Sequence, residues 1–151
     1  MPDITASTAL RDFIASRLTT ADGVNYFCTL HGSGGSAITA GSSYAASGIG
    51  ELATAIGYTA GGVKLGTAVN GTNPAWPGAM TASGGVLDCA DAVWTSSGTL
   101  SAEYCAVWVS AAATLDATAK LVSLKNSSQT ASSGQTMTGG MANPITIPTP
   151  A

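Results

Sequence analysis

Apolar positions follow two rhythms along this chain, a helical one near the start and an alternating one over most of the rest. Leu10, Phe13, Ile14 and Leu18 recur every three to four residues, with Arg11, Asp12, Ser16 and Arg17 on the opposite side. That spacing predicts a short N-terminal helix over about residues 9–18, capped by Ser7 or Thr8. Three turns are marginal in isolation, so Phe13 and Ile14 need a surface to pack against. The next segment, VNYFCTLH at 24–31, is β-branched and aromatic and nearly apolar on both sides up to His31. It predicts a strand with both faces covered. Residues 32–50 are Gly/Ser-rich, broken by Ile38 and Tyr44, and read as an ordered loop with a short strand inside or as a mobile arm. Glu51 to Ile56 leans helical.

Beyond Gly61 the alternation strengthens. GGVKLGTAV sets Val63, Leu65, Thr67 and Val69 on one face, and VLDCADAVW at 86–94 is followed by TSSG and by AEYCAVWVS at 102–110. The 86–94 and 102–110 segments predict a hairpin closed near Trp94, with Tyr104 and Trp108 on the returning strand. KLVSLK at 120–125 predicts one more short strand. The segment from Asn126 predicts a long polar loop with a short strand near Gln135 to Thr138. In the tail, Ile145 and Ile147 share a face between Pro144 and Pro148, which permits only an edge strand. Six or seven strands without βαβ alternation predict a mainly β fold: an antiparallel β-sandwich or jelly-roll-like domain over 1–125 with a short N-terminal helix and extended Gly/Ser-rich arms. Residues 126–151 are expected to form an extended C-terminal arm or edge strand.

Composition narrows the partners. Among 151 residues, 45% are apolar but only 9% are charged, and five basic against eight acidic residues leave a net charge of −3. An average domain carries about 25% charged residues. The five basic residues are scattered, so no patch exists to neutralise a run of phosphates, and direct nucleic-acid binding is not expected. No apolar run approaches membrane-spanning length. The opening residues show no basic segment followed by an apolar one, so synthesis in the cytoplasm is expected. A surface made largely of Ser, Thr, Gly and Ala fits a protein that packs against neighbours, where lysine and glutamate are depleted.

Candidate chemistry is sparse. His31 is the sole histidine, and Ser33, Cys28 and Asp22 around it match no nucleophile–base spacing. Asp88 and Asp91 fall on opposite strand faces, and with Glu103 and Asp116 they form neither a glycosidase pair nor a calcium loop. The glycine pairs at 34–35, 61–62, 84–85 and 139–140 lack the lysine and hydroxyl of a phosphate loop and read as turns. Asn70-Gly71-Thr72 and Asn126-Ser127-Ser128 match the glycosylation pattern and, with no secretion signal expected, read as chance matches. Cys28, Cys89 and Cys105 read as buried thiols, with pairing of Cys89 and Cys105 left open by strand register. Trp76, Trp94, Trp108 and Tyr104 read as core or as the wall of a sugar-binding groove. Trp76, between Pro74 and Pro77, is the candidate interface anchor, with Ile145 and Ile147. No catalytic residue, cofactor or metal site is expected, and the chain is not expected to be an enzyme.

The order of these features resembles small structural proteins of tailed bacteriophages, above all the head-decoration (cement) proteins. The resemblance spans roughly residues 8–125. It rests on the helical pattern of Leu10 to Leu18, the strand Tyr26 to His31, and the Gly-rich GSGGSAITAGSSY at 32–44. A later block follows, at Tyr58, Gly61, Gly62, Val63 and Leu65, then Trp94, Gly98, Thr99, Ala102, Tyr104, Ala106 and Val107. Cys105 interrupts that block, and Cys89, the Trp76 loop and everything beyond Asn126 lie outside the pattern. The resemblance implies a virion protein on the outer capsid surface, bound to the major capsid protein, stabilising the shell, and assembled as a homo-oligomer, with a trimer favoured. A tail, baseplate or fibre-associated role and a carbohydrate-binding module are the alternatives.

Overall fold

The computed structural model describes residues 4–5, 24–44, 48–68, 86–87, 91–139 and 145–146. Its centre is an open antiparallel sheet of five strands in the order β1-β7-β6-β2-β3. These are β1 (Ile4–Thr5), β2 (Val24–His31), β3 (Val63–Ala68), β6 (Leu100–Ser110) and β7 (Lys120–Ala131). Two further pairs stand apart from it: β4 (Val86–Leu87) with β9 (Ile145–Thr146), and β5 (Ala92–Thr95) with β8 (Thr136–Gly139). The strand β2 begins and ends where the apolar run does, and Tyr26, Phe27, Cys28, Leu30 and His31 are all buried, so both of its faces are covered.

The expected β-sandwich or jelly-roll-like architecture is overturned. The sheets are open, and the only helical element among the described residues is a 3-10 turn at Ser33–Ala37. The helix expected over 9–18 lies outside the described residues. The reason for the open form is the length of β6 and β7, eleven and twelve residues, which pair with each other along most of their extent. That pairing keeps the long strands in one sheet instead of dividing them between two. Where the ladder slips, between Ala102/Tyr104 and Val107/Trp108, β7 carries the extra residues. Such bulges raise the local twist.

The predicted hairpin of 86–94 with 102–110 does not form. The strand β5 pairs with β8 through Ala92↔Gly139 to Thr95↔Thr136, whereas β6 pairs with β7 and β2. The TSSG segment turns the chain from one sheet into the other. Its backbone bonds go outward, Ser96 N–H to Gln135 O, Gly134 N–H to Ser96 O, and Ser97 N–H to Ile56 O. The helical leaning of Glu51 to Ile56 is likewise corrected. Glu51 bridges to His31, and Ala55 bridges to Tyr58 across a tight turn with Ile56 at φ 49° and Gly57 at φ 92°. Such a turn has no room for a helix, and a Cβ at position 57 would run into the carbonyl of Thr95. The segment expected as a polar loop from Asn126 continues β7 to Ala131, turns, and enters β8.

Two apolar clusters lie on the two faces of the large sheet. One gathers Tyr26, Cys28, Leu30, Cys105, Val107 and Val109 beneath Trp94 and Met137 of the β5–β8 ribbon. The other gathers Ala106, Trp108, Leu121 and Leu124 beneath Ile38, Tyr44 and Ile49, which belong to the 32–50 segment. The described parts of that Gly/Ser-rich stretch, 32–44 and 48–50, therefore form a cover tied down by Tyr44 N–H to Ala119 O at 3.0 Å and Gly32 N–H to Gly50 O at 2.9 Å.

Candidate functional site

The most concentrated group of polar side chains lies at the end of β2, where strand alternation sends Thr29 and His31 to the same face. Both are fully buried, as is Trp108 on β6. The indole Nε1–H of Trp108 donates to Thr29 Oγ1 at 2.8 Å, and Thr29 Oγ1 lies 2.7 Å from His31 Nε2. On the other side of the ring, His31 Nδ1 is 3.0 Å from the carbonyl oxygen of Ile49. A carbonyl only accepts, so Nδ1 carries the proton, and Nε2 accepts from the Thr29 hydroxyl in the neutral ring. The chain Trp108, Thr29, His31, Ile49 is thereby satisfied end to end. Burial holds the His31 pKa below its ordinary value, against the opposing pull of the Ile49 carbonyl and the Glu51 charge.

Glu51 forms the second half of the cluster. Its carboxylate accepts from Tyr44 Oη, from Tyr58 Oη at 2.6 Å, and from the backbone N–H of Gly61 at 2.7 Å. Tyr58 Oη accepts in turn from the Leu30 N–H at 3.2 Å. Burial first, and hydrogen bonding to Glu51 second, drive the pKa of both tyrosines upward, so each stays a hydrogen-bond donor. Tyr44 belongs to the cluster on one face of the sheet and Tyr58 to the cluster on the other. Glu51 therefore ties the two faces together at the end of β2. Gly61 and Gly62, with φ of 92° and 68°, turn the chain so that the Gly61 amide reaches Glu51 and β3 can start. A Cβ at Gly62 would meet the Cys28 carbonyl.

These groups bind one another and the backbone that covers the sheet. Chemically the arrangement is a brace, because both imidazole nitrogens and both carboxylate oxygens already have partners. Of the acids considered from the sequence, Asp91 and Glu103 are exposed. Asp116 caps a turn by accepting from the Thr118 hydroxyl and N–H, at 2.6 Å and 3.0 Å, and these bonds lower its pKa. Asp88 lies outside the described residues. Among the described residues no three His, Cys, Asp or Glu side chains gather to hold a metal ion, and no helix is long and apolar enough to cross a membrane.

Trp94 and Trp108 are buried in clusters on opposite faces, so the exposed coplanar indole pair of a sugar groove is not built from them. Trp76 and Ile147 lie outside the described residues, and Ile145 is placed only by its backbone pairing with Leu87. Cys28 and Cys105 are buried thiols, with Cys105 beside Cys28, and Cys89 lies outside the described residues. The sequence offered little warning of the brace. Glu51, Tyr44 and Tyr58 stand seven residues apart in chain order on loops, and His31 looked like a strand-end residue without a role. The one available signal was the presence of a carboxylate and two tyrosines inside a charge-poor, turn-rich stretch.

No protein-family model, no curated protein and no solved structure matches the chain.

Proposed function

We propose that the chain is a structural protein of the tailed-bacteriophage particle, a head-decoration subunit that binds the outer face of the major-capsid-protein lattice and stabilises it as a homo-oligomer, a trimer being favoured. The observation that supports this reading is how the shared positions meet in space. The Tyr58–Leu65 and Trp94–Val107 halves of the resemblance are distant in sequence. Yet Tyr58 and Trp94 have ring centroids 6.0 Å apart. Tyr104 lies over Gly35 of the Gly-rich segment, leaving no room there for a Cβ. Shared positions from separate parts of the chain thus pack on one another, as expected when a pattern encodes a scaffold. On such a scaffold the partner-facing surface is free to vary. The shortage of charge fits a surface meant for packing.

Cryo-electron microscopy of the phage particle that carries the chain tests the proposal. Density for this fold repeated across the icosahedral shell supports it and counts the oligomer. Density confined to the tail or baseplate replaces it with a tail-associated role, and its absence from the particle rejects both.

A further inference from the structure

Strands β2 and β6 bring two cysteines together that are 77 positions apart in the chain. In the ladder Cys28 faces Val107, and Leu30 faces Cys105. The two cysteines thus share a face and lie diagonally, two residues out of direct opposition. Both belong to the apolar cluster under the β5–β8 ribbon, with exposures of 0% and 3%, and their sulfurs are 3.1 Å apart. A diagonal spacing in a flat ladder is about 7–8 Å between Cα atoms, at the outer limit for a disulfide. Here the sulfurs come within 3.1 Å in an unbroken β2–β6 register; the slips lie in the neighbouring ladders, β2 with β3 at Tyr26/Phe27 and β6 with β7 at Val107/Trp108. A disulfide of about 2.05 Å then requires the sulfurs to close by about 1 Å.

We propose that Cys28 and Cys105 are a redox pair that forms a cross-strand disulfide when the protein meets a low-molecular-weight disulfide such as oxidised glutathione. One cysteine, as thiolate, attacks a glutathione sulfur and releases one glutathione thiol, leaving a mixed disulfide. The second cysteine, as thiolate, attacks the protein sulfur of that mixed disulfide and releases the second glutathione thiol. The protein loses two electrons and two protons, and the glutathione disulfide gains them. Access is governed by β8, whose Gly139 sits so close that an added Cβ would lie 2.6 Å from the Cys105 sulfur. Exchange therefore proceeds during folding or when the ribbon opens. The bond joins β2 to β6, the two central strands, and stabilises the folded chain by restricting the unfolded one. This inference does not depend on the proposed function.

The test uses the full chain with Cys89→Ser, equilibrated with oxidised glutathione, quenched with an alkylating agent and weighed intact. The expected product has lost two hydrogens, takes up no alkyl group in denaturant, and reverts with dithiothreitol. Its melting temperature should exceed that of the reduced form by roughly 10 °C. The wild-type chain, digested with trypsin and chymotrypsin without reduction, provides the second measurement and should yield a peptide pair joining Cys28 to Cys105. Recovery of both residues alkylated after equilibration overturns the proposal. So does a bond from Cys89 to either of them.

Discussion

The two faces of the central sheet are covered in different ways. One face lies under the β5–β8 ribbon and is lined by Tyr26, Cys28, Leu30, Val107 and Val109. A strand pair points its backbone groups sideways, in the plane of the ribbon and not down at the sheet, so the surface beneath it can be almost wholly apolar. The other face lies under the Gly/Ser-rich 32–50 segment, whose Ile49 carbonyl faces the core. There the sheet carries Thr29, His31 and Trp108, and His31 binds the Ile49 carbonyl directly. Irregular cover calls for polar side chains in the core. Those side chains, once buried, depend on one another.

The contrast can be broken most severely at Trp108. Its ring packs near His31 and edge-on to Tyr44, with centroids 6.4 Å and 5.6 Å away, and its Nε1–H anchors Thr29. Trp108→Ala is expected to cost about 3–5 kcal/mol, measured by urea unfolding with circular dichroism. A loss below about 1 kcal/mol would mean that the loop-covered face holds little of the fold together.

Thr29→Val comes next. It keeps the shape but leaves the Trp108 Nε1–H and His31 Nε2 without their buried partner, at an expected cost of about 2–3 kcal/mol. The matching exchange on the ribbon-covered face is Met137→Leu, similar in volume and free of hydrogen-bond loss. It should cost less than about 1.5 kcal/mol. Equal losses from the two swaps, measured in the same urea series, would remove the distinction between the faces.

The smallest effect expected is a dependence on pH confined to the loop-covered face. Burial places the native pKa of His31 below 6.5. Above 6.5 the ring is neutral in both folded and unfolded chains, and the stabilisation is complete. As pH falls below 6.5 the unfolded chain binds a proton that the native chain resists. Stability therefore declines down to the native pKa and then levels off. His31→Gln should flatten that slope in melting temperature against pH, whereas Met137→Leu should leave it intact. A wild-type profile flat through this interval would count against a buried neutral imidazole. Asp116, whose pKa lies below 3.8, contributes only at more acidic pH and does not confuse the reading.

Alternation and residue type made much of the individual strand content legible. The bounds of β2 follow from VNYFCTLH, and β3 from VKLGTA, because β-branched and aromatic residues bounded by glycine leave little else for the backbone to do. The burial of Trp94 and Trp108 was also one of the readings available from sequence. Partner choice was not legible. Alternation says which side chains are buried but carries no information on which strand supplies the hydrogen bonds. The TSSG turn looked like the tip of a hairpin because its composition suits any turn. Only the tertiary structure brings Ile56 and Gln135 to it and sends β5 to β8 instead of β6.

The same limit governs the brace. The sequence by itself determined a charge-poor, mainly β chain with covered strands, because local pattern and composition act on each segment alone. That His31 is a buried link, that Glu51 joins two tyrosines across the two faces, and that Cys28 meets Cys105 were decided by the tertiary structure. Each is a contact between elements whose separation along the chain bears no fixed relation to their distance in space, so only the packed sheet and its covering loops could bring them together.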